Sequence, residues 1–213
     1  MSTLRTSEGP TSVVACSLVA SSLSVCQHLN SIIPPMAERG LVRVGISITT
    51  LDSTLARKLE PRAPTPARRL ATIRALAQAG IPVRVMIAPV IPGLTDHELD
   101  AILAEARAAG AQAASWIALR LPLEVSPLMQ DWLSHHVPDR AAKVMARVRD
   151  MHGGKDYDAE WGRRMRGQGI WSELIAQRFD KAVGRAGLAK DLAPLRGDLF
   201  RPPPASSAQL SLF

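Results

Sequence analysis

An alternation of strand and helix patterns across residues 41–121 limits the possible folds of this 213-residue chain more than any other feature. Residues 41–50 are β-branched and apolar and predict a buried strand; 81–88 and 113–121 predict two more. One helix pattern separates each pair of strands. This order predicts right-handed βαβ units and therefore a parallel sheet, an α/β fold.

Local signals mark the ends of the two intervening helices. Thr65 and Pro66 predict an N-cap and a first helical residue, and Gly80 predicts the end of that helix. Thr95 to Glu98 has the spacing of a capping box, and Gly110 closes the second helix. The apolar residues predicted to face the core are Leu70, Ile73 and Leu76 in the first helix and Leu99, Ile102, Leu103 and Ala106 in the second.

The pattern becomes helical after Pro122. Helices are predicted at 127–136, 139–151 and 170–186. The residues of the last helix that are expected to face inward are Leu174, Ile175, Phe179 and Val183. Residues 201–208 are rich in proline and serine and predict an extended tail.

Composition excludes several classes of protein. With 46% hydrophobic and 21% charged residues, the chain can bury a core and is not disordered throughout. Its two cysteines, Cys16 and Cys26, cannot form a disulfide scaffold and match no common metal-ligand spacing. No apolar run approaches the roughly 20 residues that span a bilayer, so we expect a cytoplasmic protein without a membrane partner.

Positive charge is concentrated toward the end of the chain. The net charge is +7, and residues 138–213 hold fourteen basic and nine acidic side chains, which is +5. Such a region suits a phosphate backbone, although a solvated helical surface explains it as well. The candidates for lining a nucleic-acid channel are Lys155, Arg163, Arg164 and Arg166. In the alternative, Arg163 to Arg166 form a helix surface that pairs with Asp158 and Glu160.

Three short segments follow the predicted strands, where parallel α/β folds bind ligands. They are residues 47–52, 88–95 and 120–124. The hydroxyls of Ser47, Thr49 and Thr50 could bond a ribose or a carboxylate, and Gly93 would let the backbone approach a flat ring on which Ile91 stacks. The alternative is that the threonines cap the strand and Gly93 only forms a turn. No residue is assigned a catalytic or metal-binding role, and His97, His135 and His136 are expected at the surface.

The same segments carry a resemblance that extends from about Pro35 to Phe213. Residues 45–52, 86–96, 153–158 and 164–169 resemble, in order and spacing, the spore-photoproduct-lyase-like branch of the radical S-adenosylmethionine (radical SAM) enzymes, also called DNA repair photolyases. The resemblance implies a partial (β/α)6 barrel, the cofactors S-adenosylmethionine and a [4Fe–4S] cluster, and action on nucleic acid. The cofactor-binding residues it implies are Ser47 or Thr49 for the ribose or methionine end, and Val90, Ile91, Pro92, Gly93 and Leu121 for adenine.

The chain departs from this family in one respect. Members hold the cluster with a Cys-x3-Cys-x2-Cys loop near the N-terminus, and this chain has no such motif. We therefore expect the C-terminal half of a barrel that needs the missing N-terminal half for a closed core, and that is inactive alone. The expected segments are an atypical, disordered or frame-altered stretch at 1–34, a half barrel at 35–126, a basic helical region at 127–198 and a flexible tail at 199–213.

A second resemblance lies in the last five residues. The segment Gln209, Leu210, Ser211, Leu212 and Phe213 is similar to the pentapeptide by which bacterial replication and repair proteins bind the DNA sliding clamp. The alternative is a tail that folds back onto the core. The alternatives to an enzyme fragment are a basic, non-enzymatic DNA-associated module that docks on the clamp, and a non-functional remnant.

Overall fold

The computed structural model describes residues 32–199, which form three strands and seven α-helices. A single 3₁₀ turn, Asp96–Glu98, precedes the fourth α-helix. The elements in chain order are α1 (Ile33–Glu38), β1 (Val44–Ser47), α2 (Ser53–Leu59), α3 (Pro66–Gln78), β2 (Val83–Val90), α4 (Leu99–Ala108), β3 (Ala113–Ala118), α5 (Val125–His136), α6 (Pro138–Met151) and α7 (Gly169–Ala186).

The strands form one parallel sheet in the order β1-β2-β3, as the βαβ pattern predicts. Val44 pairs with Val83, and Val85 pairs with Ala114, so each strand lies beside its neighbour in sequence. β1 and β3 are shorter than the sequence runs that predict them, and β2 has the predicted length but begins two residues later. The fold is therefore α/β with a helical C-terminal region, consistent with part of a radical SAM-type barrel.

The helix signals are confirmed with one exception. Thr65 caps α3, its hydroxyl accepting from the N–H of Arg68 at 3.4 Å. The capping box at Thr95 is wrong: the Thr95 hydroxyl accepts from the N–H of Ile91 at 3.0 Å, and the Glu98 side chain bonds residues after β1. Both side chains hold the loop in place, and the 3₁₀ turn brings the chain into α4 without a side-chain cap.

Two short helices, α1 and α2, have no counterpart among the predicted elements. In α2 the signal is present, because the Asp52 carboxylate accepts from the N–H groups of Thr54 at 2.7 Å and Leu55 at 3.2 Å. That is an ordinary acidic N-cap. At seven residues, however, α2 is too short for an apolar periodicity to be visible in the sequence.

The main core lies between one face of the sheet and the helices α3, α4 and α7. The buried side chains on this face include Ile46, Val85 and Trp116. The centre of the Trp116 ring lies 6.4 Å from the centre of the Phe179 ring in α7. The four apolar residues predicted for α4, Leu99, Ile102, Leu103 and Ala106, are all fully buried. In α7, Ile175, Phe179 and Val183 are buried as predicted, whereas Leu174 is 47% exposed and does not face the core.

The outer edges of the sheet are partly occupied by other segments of the chain. Beside β3, the N–H of Ala118 donates to the carbonyl of Met165, and the N–H of Ala114 donates to that of Ala189. At the outer edge of β1, the Arg69 guanidinium donates to the Ser47 carbonyl at 2.9 Å. A bonded edge is less open to pairing with another chain.

A second apolar cluster lies beyond the carboxyl ends of the strands. It joins the loops after β2 and β3 to α5 and α6, with Ile91, Leu121, Leu133 and Val148 at its centre.

No helix of the described part is long and apolar enough to cross a membrane. Most of the predicted segment 1–34 and all but the first residue of the tail 199–213 lie outside the described residues.

Two glycines give a matched test of this packing. Gly184 lies in α7 with open space around its Cα, so Gly184→Ala should stabilise the fold by about 0.5–1 kcal/mol by lowering the entropy of the unfolded chain. Gly110 has φ +105°, and a Cβ there would lie 2.6 Å from the Cβ of Ala77. Gly110→Ala should therefore destabilise the fold by about 1–3 kcal/mol. Urea unfolding measures both changes, and equal effects of the two substitutions would contradict the packing described.

Candidate functional site

One face of the sheet is left without helices among the described residues. Ser47, Met86 and Ser115 lie side by side across β1, β2 and β3 on this open face, and all three are partly exposed. Gly45 lies one pair earlier in β1, where a Cβ would come within 3.1 Å of the Met86 sulfur. The open face is thus lined by small and hydroxyl-bearing side chains around Met86, with Arg84 on the same face one pair earlier, where it is paired with Asp191.

Ser47 is held by the buried guanidinium of Arg69, which is 7% exposed. Arg69 Nη1 donates to the Ser47 hydroxyl oxygen at 3.0 Å as well as to its carbonyl, while Nη2 donates to the Glu60 carboxylate at 2.8 Å. Because the Ser47 oxygen accepts here, its own hydrogen is free to donate elsewhere. The residue fits the predicted role of bonding a ribose or carboxylate oxygen.

Thr49 and Thr50 are both buried and bonded to the loop beside them. The Thr49 hydroxyl donates to the Ala88 carbonyl at 3.4 Å. The Thr50 hydroxyl donates to one oxygen of Glu98 at 2.6 Å, and the Leu51 N–H donates to the other at 2.7 Å. These bonds favour the alternative in which the threonines serve the ends of the strands, and Ser47 is the more available hydroxyl.

The three predicted segments meet at one edge of the sheet. Glu98 joins the end of β1 to the loop after β2, and the N–H of Leu119 donates to the Val90 carbonyl at 2.9 Å and joins that loop to β3. Ile91 and Leu121 are each 1% exposed and pack in the second apolar cluster. A ligand at this edge would therefore meet their backbone before their side chains.

Gly93 has φ +84°, and its open side is occupied by Arg147. A Cβ on Gly93 would lie 3.0 Å from Arg147 Nη1, and the guanidinium of Arg147 also lies 3.9 Å from the centre of the Trp171 ring. The Gly93 N–H donates to Asp96 at 2.8 Å. In this structure the missing side chain of Gly93 makes room for Arg147, a contact that the sequence did not indicate.

The C-terminal cations predicted for nucleic acid lie in turns between α6 and α7. Arg163 forms ion pairs with Asp158 at 3.2 Å and with Glu160, the partners named in the alternative interpretation, but it lies in a turn and not on the helix expected there. Arg164 stacks 4.1 Å from the centre of the exposed Trp161 ring, and Arg166 stacks 4.6 Å from that of the buried Trp116. Lys155 is exposed.

A polar network that the sequence did not predict links α5, α6 and the segment after it. Asp156 accepts from the Ser126 hydroxyl at 2.5 Å and from Arg149 Nε at 2.7 Å. These two donors hold the pKa of Asp156 below its ordinary value. Nearby, Arg120 Nη2 donates to the Tyr157 hydroxyl at 3.1 Å. The partners are too far apart in sequence for any spacing rule to pair them.

His97, His135 and His136 are exposed, as predicted. Within residues 32–199, no group of three or more His, Cys, Asp or Glu side chains could hold a metal ion. Cys16, Cys26 and the candidate clamp-binding residues Gln209, Leu210, Leu212 and Phe213 lie outside the described residues, so their predicted roles stay predictions.

A family model matches part of the chain. Residues 16–106 match the model of the Radical SAM superfamily. The match begins at residue 16, whereas the resemblance to the photolyase branch begins near Pro35.

Three uncharacterized proteins, one from Mycobacterium bovis and two from Mycobacterium tuberculosis, are each 30% identical to the chain over 165 residues. That alignment covers 76% of this chain and 45% of each relative, so the chain spans less than half the length of the relatives it matches. No solved structure matches the chain.

The role of Glu98 in holding the strand ends together is directly testable. Glu98→Gln keeps the shape but removes one of the two oxygens that accept from Thr50 and Leu51, and should destabilise the fold by about 1–3 kcal/mol. In the double variant with Thr50→Val, the loss of unfolding free energy should be smaller than the sum of the two single losses by at least about 0.5 kcal/mol. Chemical unfolding of the four proteins measures this coupling, and additive losses would refute it.

Proposed function

We propose that this chain carries the adenosyl-binding part of a radical SAM protein of the spore-photoproduct-lyase-like branch, whose whole form repairs or modifies nucleic acid. The superfamily match at residues 16–106 supports the coarser part of this proposal. The finer part draws support from residues 45–52, 86–96 and 153–169, whose motifs resemble that branch.

The observation that carries the proposal is the joining of the strand ends at one edge of an uncovered sheet face. Ser47 lies on that face with a free hydroxyl hydrogen, and the backbone after Val90 lies at the same edge. Adenosine carries a flat base and two ribose hydroxyls, which such an edge can bind with backbone and hydroxyl groups. Ligands of parallel α/β folds bind at this place.

The residues of this chain fit one of the superfamily's two cofactors. Small side chains and the Ser47 hydroxyl suit S-adenosylmethionine. A [4Fe–4S] cluster of this family needs three thiolates, and the chain has only Cys16 and Cys26. In an intact enzyme, a bound cluster would supply the single electron that breaks a carbon–sulfur bond of S-adenosylmethionine, giving methionine and a carbon radical.

We further propose that the 213-residue polypeptide by itself does not catalyse radical chemistry. The missing thiolates would have to come from another polypeptide or from a longer form of the protein. In a complete barrel the remaining strands would enclose the open face, because parallel sheets are normally covered on both faces.

Binding of the adenosyl group tests the proposal without any cluster. Calorimetry with S-adenosylhomocysteine should give a measurable Kd, and Ser47→Ala should weaken it about 5- to 10-fold, as expected for one lost hydrogen bond of about 1–1.5 kcal/mol. Ser134→Ala, on the exposed side of α5, is the control and should leave the Kd unchanged. Absence of binding to the folded wild-type chain would refute the adenosyl site.

A second candidate function is docking on the DNA sliding clamp through the last five residues. The sequence of Gln209 to Phe213 follows a proline- and serine-rich stretch, and Leu212 and Phe213 would fill an apolar cleft after little ordering of the chain. A protein that acts on DNA would be recruited to replicating strands in this way.

Fluorescence anisotropy with purified bacterial clamp tests the docking. The double substitution Leu212→Ala and Phe213→Ala should weaken binding at least about 10-fold, since it removes both large apolar side chains of the motif. Ser206→Ala plus Ser207→Ala, in the stretch before the motif, is the matched control. Unchanged affinity of the double variant would remove the docking proposal.

A further inference from the structure

Net positive charge is also concentrated where the sequence forms α2 and α3. Residues 53–80 contain six cations and a single carboxylate, Glu60, for a net charge of +5. The cations are Arg57, Lys58, Arg62, Arg68, Arg69 and Arg74.

The one carboxylate of this stretch is already used. Glu60 pairs with Arg69 at 2.8 Å, and Arg69 is buried with further bonds to Ser47 and to the Pro64 carbonyl at 3.1 Å. The other five cations are exposed, and no carboxylate among the described residues lies within 4.0 Å of any of them. We call these five residues, Arg57, Lys58, Arg62, Arg68 and Arg74, the α2–α3 basic surface.

In the C-terminal region, more than half of the cations are paired with carboxylates. Residues 138–198 contain thirteen cations, of which seven form ion pairs with described carboxylates. Arg163 pairs with two carboxylates, Asp158 and Glu160. A phosphate that approached Arg163 would compete with both, whereas a phosphate at the α2–α3 basic surface meets no such competition.

The pairing of Arg69 with Glu60 also organises the surface. It holds the last turn of α2 against the first turn of α3 and so places Lys58 and Arg68 at one junction. The Lys58 carbonyl accepts from Trp132 Nε1 at 3.0 Å, which fixes the end of α2 to α5. The cations therefore project from a held framework.

A groove connects this surface with the edge of the sheet described above. Its volume is about 570 Å³, and it lies against the segments that follow β1 and β2. Lys58 lines it together with Arg140 and His97. Its lining also contains two carboxylates, Asp52 and Glu98, and both already accept hydrogen bonds from neighbouring protein groups. Lys58 thus belongs to both features, and the cationic surface continues into a groove at the ligand-binding end of the sheet.

The surface suits a phosphate backbone better than an anionic membrane. The large apolar side chains that are exposed in the described part include Leu123, Leu128 and Trp161, and none lies within residues 53–80. A surface that inserts into lipid carries exposed Trp, Phe or Leu beside its cations. Cations without apolar neighbours are typical of contacts with nucleic-acid phosphates.

We propose that the α2–α3 basic surface, with Arg140 across the groove, binds the phosphate backbone of DNA and leads the strand to the open end of the sheet. The part of this inference that leads the DNA strand to the open end of the sheet rests on the proposed function. The binding of phosphates itself depends only on the charges, so it can be tested separately from the adenosyl site.

Fluorescence anisotropy with a labelled DNA duplex of about 20 base pairs tests the proposal on the full chain. A triple variant, Arg57→Gln, Arg62→Gln and Arg68→Gln, removes three charges from exposed positions. Its matched control, Arg185→Gln, Lys190→Gln and Arg196→Gln, removes three exposed charges from the C-terminal region, each of which is paired with a carboxylate. Both triple variants should keep the wild-type circular dichroism and melting temperature, because none of the six side chains is buried.

The α2–α3 variant should lose at least about 10-fold in affinity and about 2 to 3 units in the slope of log Kd against log salt between about 50 and 200 mM. The control should lose less than about twofold. Equal losses in the two variants would mean that only net charge matters and would overturn the proposal. It would equally be overturned if the wild type bound phosphatidylserine vesicles but not the duplex.

Failure of this inference is distinguishable from failure of the proposed function. If S-adenosylhomocysteine does not bind but the α2–α3 variant alone loses DNA affinity, the basic surface stands as the DNA site of a non-enzymatic module. If the adenosyl group binds and the two triple variants behave alike, the adenosyl site stands and the basic surface does not.

Discussion

A parallel sheet with helices on only one face is the constraint on which this structure depends. Helices α3, α4 and α7 bury Ile46, Val85 and Trp116 on one side. On the other side, among the described residues, Ser47, Met86 and Ser115 remain partly exposed. A parallel sheet normally buries both faces. The side chains on the exposed face are small and partly polar, whereas a second layer of packing would need apolar ones. Such a composition suits a face that binds a ligand.

Polar side chains at the carboxyl ends of the strands hold this arrangement together. Glu98 joins the end of β1 to the loop after β2, and Arg69 joins β1 to α2 and α3. Each bonds several backbone or side-chain groups that would otherwise be buried without partners, which is costly. Arg69 holds Ser47 on the open face and also joins α2 to α3, so the proposed adenosyl site and the proposed basic surface share one framework.

The sequence predicts those parts of the fold that depend on local patterns. Three parallel strands and the helices around Ile73, Ile102 and Phe179 follow from apolar periodicity, and Thr65 and Gly110 mark helix ends as expected. The spacing of Thr95 and Glu98 mimics a capping box, but both side chains find stronger partners elsewhere in the fold. A spacing rule cannot detect such competition, because the partners Thr50 and Leu51 are distant in sequence.

The candidate site likewise has parts that the sequence predicts and parts that it does not. Ser47 and the loop after Val90 are found at the predicted edge, because the topology of parallel strands brings their ends together. The contact of Arg147 with Gly93 and the network around Asp156 arise from tertiary packing and have no sequence signal. The charge of the α2–α3 basic surface was readable in the sequence, but its lack of partners required the structure.

The central claim is that this chain keeps a face for the adenosyl group and lacks the thiolates for the cluster. The most direct measurement is reductive cleavage of S-adenosylmethionine by the purified 213-residue chain, supplied with iron, sulfide and dithionite under anaerobic conditions. The account predicts no 5′-deoxyadenosine above that of a protein-free control. Repeated turnover to 5′-deoxyadenosine by this polypeptide alone would contradict it.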